Sequence, residues 1–394
     1  MSAEACDRGG RSISAPRITR LSLTDFRNYS AATIHTGAPN CVFHGPNGSG
    51  KTNLLEALSL LSPGRGMRRA KLDQMVRQGS GAGFTVFSEI ETDDDTVKIG
   101  TGTSTSALAD AISTRVTRIN GTPAKRSEEL LQFTRVLWLT PAMDGLFTGS
   151  ASDRRRFTDR MVLSIEPQHA RRVADYEKAI SQRNRLLDDY HGQQSDIQLD
   201  AIELQLGALG AAMIAARAEL VDLISLEMER LDQTNFQDFP TATLFISDGL
   251  REAEQRHDEM NTEEQLLRLY RDGRGRDRAA KRTLIGPHRA DLNVQHKEKD
   301  IEAALCSTGE QKALLTGLVL AHAKITSQIA GMAPILLLDE IAAHFDPFRR
   351  EALFQRIEAL GGQTFMTGTD AFLFEALGDQ AKRFRVDSGH VTEA

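Results

Sequence analysis

Cysteine is scarce: Cys6, Cys41 and Cys306 are the only three in 394 residues, and no two stand at metal-ligand spacing. This excludes a disulfide framework and a cysteine-built zinc site, and suits a reducing cytosol. Aromatic residues make up only 6%, with four tyrosines and one tryptophan, Trp138, inside an apolar run. A platform for stacking nucleic-acid bases is therefore not evident. Positive charge is not in excess either. The net charge of −6 gives no global nucleic-acid signal, so any such contact must come from local basic patches. No apolar run approaches the ~20 residues of a membrane span. Residues 1–16 lack the apolar stretch of a signal peptide and, being polar with Gly and Ser, read as a disordered leader. A soluble, cytoplasmic protein without a membrane partner is expected. Its length suggests two or three structural units with a sizeable core.

What is present is organised around Asn40–Leu61. Asn40–His44 is a short apolar run, and Gly45-Pro46-Asn47-Gly48-Ser49-Gly50-Lys51-Thr52 fits G-x-x-x-x-G-K-[ST]. Leu54, Leu55, Leu58 and Leu61 then repeat at helical spacing. Strand, glycine-rich turn and helix form the context a phosphate-binding loop requires, which separates this match from a chance one in a glycine-bearing chain. The loop's N–H groups can turn inward on phosphates at the positive end of the new helix. Lys51 can reach the β- and γ-phosphates, and the Thr52 hydroxyl can ligate Mg²⁺. A nucleoside triphosphate site is expected.

The first 145 residues read as β-rich, with strands predicted at Arg17–Asp25, Phe84–Ile90, Thr96–Thr101, Arg115–Asn120 and Val136–Leu139. From about Ser152 to Arg278 the pattern is helical. Ile202, Leu206, Leu209, Met213, Ala216, Leu220 and Leu223 step by four and three, which suits a coiled-coil arm or, preferred for so short an insertion, a long helix in a small bundle. Alternation returns at Asp291–His296, then a helix at Gly309–Ile329, a strand at Ile335–Leu338, a helix at Pro347–Leu360 and a strand at Gln363–Thr367. The expected architecture is an α/β ATPase domain from residues 17–148 and 283–394, with residues 149–282 inserted as a helical domain.

Ile335–Leu338 ends in Asp339-Glu340. A buried strand delivers the side chains at its C-terminal end to the crevice that holds the phosphate loop. Asp339 is thereby placed to hold Mg²⁺, and Glu340 to orient or deprotonate an attacking water. Ser307, with Glu310 three residues on, reads as a capping box opening the next helix. A helix start exposing Ser307 and Gly309 is also an anion site, suited to a γ-phosphate.

Phosphate loop, Ser-x-Gly-x-x-Lys at residues 307–312, Asp339-Glu340 and the Asp346-Pro347 turn follow the order of the ABC-type ATPase heads. More narrowly, the chain resembles the RecF family of bacterial recombination mediators, relatives of SMC-like proteins. The segments carrying that likeness include Leu23–Tyr29, Gly64–Arg68, Asp153–Asp159, Gln182–Leu187 and Thr283–Leu292, spread over most of the chain. The resemblance implies ATP and Mg²⁺ as cofactors and an ATP-dependent homodimer. Lys51, Thr52, Asp339 and Glu340 would act in cis, and Ser307 and Gly309 would cap the γ-phosphate in trans. It further implies Asp346 at the D-loop position after the acidic pair and places it, with Asn53, Arg27 and Asn28, among the residues that bind the nucleotide. It also implies binding to gapped or single-stranded DNA and cooperation with RecO and RecR in loading RecA. The departures are Ser307-Thr308-Gly309-Glu310 in place of Ser-Gly-Gly-Gln, Thr367 and Thr369 where a switch histidine would stand, and Ala142 and Asp144 where a glutamine loop would run. They point to slow, DNA-stimulated turnover.

Two basic clusters suit a DNA backbone. Residues 65–77 hold Arg65, Arg68, Arg69, Lys71 and Arg77 against Asp73, and residues 271–289 hold seven basic residues against Asp272 and Asp277. Arg154–Arg156 suit bracing as well as DNA. Other function classes fit less well. A transporter's nucleotide-binding subunit calls for the missing glutamine and histidine, and an SMC-like structural clamp calls for a far longer insertion.

Overall fold

The computed structural model describes residues 13, 15–80, 83–93, 95–103, 114–232, 239–247 and 261–394. Most of the expected leader, residues 1–12 and 14, lies outside them. The chain divides into two compact units. The first comprises Met1–Asp144, Leu231–Phe239 and Lys312–Ala394, and the second Gly145–Arg230 and Pro240–Gln311.

Two sheets build the first unit. One is antiparallel, from β1 (Arg17–Phe26), β2 (Tyr29–His35), β4 (Thr85–Glu91), β5 (Thr96–Gly102), β6 (Val116–Ile119) and β7 (Thr122–Pro123), in the order β2-β1-β4-β5-β6-β7. The other contains β3 (Asn40–His44), β8 (Val136–Leu139), β12 (Ile335–Leu338), β13 (Thr364–Gly368), β14 (Ala381–Asp387) and β15 (His390–Glu393). Its order is β15-β14-β3-β13-β12-β8, parallel except for the edge strand β15. Helix α1 (Lys51–Ser59) follows β3, and its leucines pack into one core with residues of both sheets. Leu54, Leu55, Leu58, Leu60 and Leu61 are fully buried, each stabilising by roughly 1.5–3 kcal/mol. The parallel order sets the C-terminal ends of β3, β12 and β13 side by side, where the phosphate loop, Asp339-Glu340 and Thr367 emerge. The short helix α2 (Leu72–Met75) closes the basic turn that follows α1.

The second unit holds α3 (Ala151–Ile165), α4 (His169–Asp188), most of α5 (Gln193–Asp232) and α6 (Thr262–Ala280). It also holds a small antiparallel sheet of β9 (Ala242–Ser247), β10 (Asp291–His296) and β11 (Ile301–Glu302). Tyr176 and Ala179 of α4, Leu206 and Met213 of α5 and Leu266 and Tyr270 of α6 share one core, so the long helix lies in a bundle and not in a free coil. The inserted unit is not purely helical. Residues 283–311, expected with the ATPase domain, belong to it because β10 pairs with β9 along its whole length.

Helix α7 (Thr308–Ala330) begins in the second unit and runs on in the first. It corrects one expectation from composition, since it is long and apolar enough to cross a membrane, with a mean hydropathy of 1.2 over its best window. That window is 78% buried inside the protein, as in a core helix. Helix α8 (Pro347–Leu360) follows Asp346, which caps it by accepting a bond of 3.0 Å from the Arg349 N–H.

Candidate active site

The phosphate loop wraps tightly because its glycines permit it. Gly45 has φ +147°, and a Cβ there would stand 2.2 Å from the Val386 carbonyl oxygen of the neighbouring β14. At Gly50, φ +116°, a Cβ would come within 2.4 Å of Asn28 Nδ2. The loop is thus clasped between β14 and the β1–β2 turn, and only glycine admits that approach.

Lys51 is buried to 4% exposure and bends back over its own loop, donating to the Gly45 and Pro46 carbonyls at 2.8 and 3.0 Å. Burial lowers its pKa, a shift opposed by Glu340 and Asp339. The Thr52 hydroxyl donates to Asp339 Oδ1 at 3.0 Å, so the loop and the acidic strand end touch directly. Thr367 joins them: its hydroxyl donates to the same Asp339 oxygen at 2.7 Å and accepts the Glu340 N–H at 2.9 Å. Glu340 has a left-handed backbone, φ 56°, an uncommon state for a non-glycine residue that Thr367 helps to hold. Burial raises the Asp339 pKa, against hydrogen bonds from Thr367 and Thr52 that lower it. A carboxylate disfavoured by burial beside a threonine hydroxyl is a donor set that a hard divalent cation would relieve. Ser49 Oγ is buried inside the loop without a hydrogen-bond partner. The loop, its lysine and the Thr52–Asp339 pair fit a Mg²⁺–nucleoside triphosphate.

Asn28 donates to the Ser49 carbonyl at 3.1 Å and accepts from Asn53 Nδ2 at 2.7 Å. Arg27 is committed elsewhere, gripping both oxygens of Glu56 at 2.8 and 2.6 Å and the Gln74 carbonyl at 2.7 Å. Ser307 and Gly309 stand exposed at the start of α7, in the second unit. There the Ser307 N–H and hydroxyl both donate to Glu310 Oε2, at 3.0 and 2.8 Å. Lys299 pairs with the same carboxylate and, with Ser307, holds its pKa down to about 2.

Thr367 and Glu56 are the site residues that sequence reasoning missed. Thr367 stood only as a replacement for an absent histidine, and Glu56 was given no role. Glu56 is wholly buried, and opposes Arg27 and, at 3.5 Å, Arg68. Glu56→Ala would strand Arg27, itself 19% exposed, and is expected to cost about 2–3 kcal/mol, below the full penalty of a completely buried pair. A fall in the thermal midpoint with retained secondary structure would be the sign; an unchanged midpoint would show that the pair contributes nothing.

Of the basic residues, Arg65, Arg68, Arg69 and Lys71 are exposed on the turn after α1. Acids within the second unit answer three of the seven basic residues at 271–289: Arg271 meets Asp200, Arg274 meets Asp196, Asp200 and Glu203, and Lys281 meets Asp188. Arg154 pairs with both oxygens of Asp291 at 2.7 Å, Arg155 donates to the Ala290 carbonyl and Arg156 meets Asp153, so these arginines brace the unit. Asp144, standing where a glutamine loop would run, pairs with Lys312 at 3.0 Å.

The family model described as RecF/RecN/SMC N terminal domain matches residues 17–392. The DNA replication and repair protein RecF of Rhizobium rhizogenes is 53% identical over 378 residues, covering 96% of this chain and 98% of its own. That of Brucella suis is 51% identical over 390 residues, covering 99% of each. Among solved structures, the recombination mediator protein RecF-ATP of the RecFOR pathway has a TM-score of 0.82 at 23% identity, covering 96% of this chain and 98% of that one. An Smc head domain from Pyrococcus furiosus has a TM-score of 0.53 at 16% identity, covering 96% of each chain. These structural likenesses speak for the fold, a mixed α/β head of the ABC and SMC kind. Phosphate loop, acidic strand end and near full-length identity to curated relatives agree, and the chain belongs to the RecF family.

Proposed function

We propose that the protein is an ATP-dependent DNA-binding recombination mediator acting in the cytoplasm. The observation that carries this reading is the junction of Thr52, Asp339 and Thr367, which joins phosphate loop and acidic strand end into one ATPase-type site. Bound Mg²⁺–ATP supplies the phosphoanhydride whose cleavage resets the switch. Lys51 and the loop N–H groups hold its phosphates, Thr52 and Asp339 hold the cation, and Glu340 orients water and accepts its proton. The exposed Ser307 and Gly309 of a second copy complete the site, so nucleotide closes a homodimer and hydrolysis releases it.

The DNA reading rests on the exposed Arg65, Arg68, Arg69 and Lys71, which suit duplex phosphates beside a gap. Turnover is slow and DNA-stimulated, and the family resemblance extends the reading to loading RecA with RecO and RecR; the curated relatives are named for DNA replication and repair. The test is light scattering and phosphate release, each with and without ATP and gapped duplex. The parent is expected to dimerise on ATP and to hydrolyse faster with DNA. Ser307→Arg is expected to bind ATP as a monomer and to stay monomeric; a variant that still dimerises on ATP would remove the trans-capping role.

A further inference from the structure

The start of α7 is already occupied by a side chain of its own helix. Glu310 Oε2 accepts the Ser307 N–H at 3.0 Å and the Ser307 hydroxyl at 2.8 Å, while the Ser307 oxygen accepts the Glu310 N–H at 3.4 Å. Lys299, on the turn between β10 and β11, pairs with the other carboxylate oxygen, Oε1. A serine hydroxyl carries one hydrogen, and here it is spent on Glu310. Lys299 and the Ser307 bonds hold the Glu310 pKa down to about 2, so this acceptor is an anion throughout the neutral range.

Two anions therefore compete for one donor set. A γ-phosphate capped by Ser307 needs the hydroxyl proton. Turning that proton onto phosphate leaves Ser307 Oγ and Glu310 Oε2 as bare oxygens facing each other, and sets the carboxylate's charge against the phosphate's. The carboxylate must swing aside for the cap to close. Lys299 gives it a place to go, because the lysine already holds its far oxygen and is itself 50% exposed. The approach is open: Ser307, Thr308 and Gly309 are exposed, and outside its own helix nothing stands within 4 Å of where a Gly309 Cβ would lie.

We propose that Glu310 is an internal stand-in for the γ-phosphate, a gate on the trans cap that Lys299 steadies and that the triphosphate of a second copy displaces. After hydrolysis and phosphate release the carboxylate retakes Ser307 and favours separation of the dimer. The inference rests on the trans-capping reading given above and names the residue that regulates that cap.

The test is the midpoint concentration for dimerisation of the full chain, read by light scattering with Mg²⁺ and a non-hydrolysable ATP analogue. Glu310→Gln keeps the shape and removes the charge. It should tighten the dimer about tenfold, since a neutral amide is roughly half as strong an acceptor and does not repel phosphate. Lys299→Met leaves the carboxylate without its counter-charge and should loosen the dimer by about the same factor. The opposite signs are the readout. A pair that merely braced the helix start would move dimerisation the same way whichever partner was lost, as it should move the thermal midpoint of the nucleotide-free protein. The Lys299→Met loss should also shrink in the Glu310→Gln background, because Lys299 acts through that carboxylate. Parent-like or weaker dimerisation by Glu310→Gln, or an undiminished Lys299→Met loss in its background, overturns the proposal. A parent that stays monomeric with the analogue, or a Ser307→Arg variant that dimerises, defeats the trans-capping reading itself, and the gate falls with it.

Discussion

Glu340→Gln is expected to lower ATP hydrolysis by about 10²–10⁴-fold while leaving nucleotide binding intact. The substitution keeps shape and hydrogen-bonding reach but removes the group that takes a proton from water. Its backbone should stay where it is, since the left-handed turn at position 340 is held by the Thr367 hydroxyl and not by the carboxylate. With hydrolysis blocked and binding spared, the ATP-bound dimer should persist in light scattering long after the parent has dissociated. Thr367→Val makes the complementary case. It strips one hydrogen bond from Asp339 and leaves the Glu340 N–H without its acceptor, so it should slow turnover less and weaken nucleotide binding more. Phosphate release under single-turnover conditions separates the two. Parent-like turnover by Glu340→Gln would show that another group activates the water.

Both halves of this site were legible in the sequence because each is a local pattern: a glycine-rich turn between strand and helix, and an apolar strand ending in two acids. What brings them together was not legible. Thr367 lies in a third strand, and its role depends on β13 lying between β3 and β12, an adjacency that no local signal encodes. β14 was missed for a similar reason. Lys382, Arg383 and Arg385 make Ala381–Asp387 look like surface, although its pairing with β3 brings Val386 against Gly45. The edge strand β2 escaped because Ala31 and Ala32 carry little strand propensity. The 271–289 cluster read as a DNA face by charge alone, yet two of its arginines, Arg271 and Arg274, answer carboxylates on α5 that lie about seventy residues earlier, beyond any local pattern.

That cluster leads to the second large effect. Arg183 of α4 has no exposed surface, and its guanidinium meets Glu203 of α5 at 2.9 Å, Asp277 of α6 at 2.7 Å, the Thr283 hydroxyl at 2.7 Å and the Tyr270 carbonyl at 2.8 Å. Asn184 accepts from both the N–H and the hydroxyl of Thr283, and Asp277 accepts the Leu284 N–H at 3.1 Å. Two of the segments that carry the family likeness, Gln182–Leu187 and Thr283–Leu292, therefore meet around one buried cation. Arg183→Met fills similar space but leaves Asp277 without its cation and Glu203 with Arg274 alone. Breaking such a pair from one side costs about 3–5 kcal/mol, which for a unit of this size is a fall of on the order of 10 °C in its thermal midpoint. Arg183→Lys keeps the charge but lacks the planar fork that reaches four partners at once, so an intermediate loss is expected. Replacing Arg183, Glu203 and Asp277 together by apolar residues of matching volume should recover much of the stability, since no buried charge is then left unpaired. If Arg183→Met melts with the parent, the cluster is not what locks the three helices; if it melts early and the triple replacement recovers, the buried charges must be kept for their geometry and not for net stability.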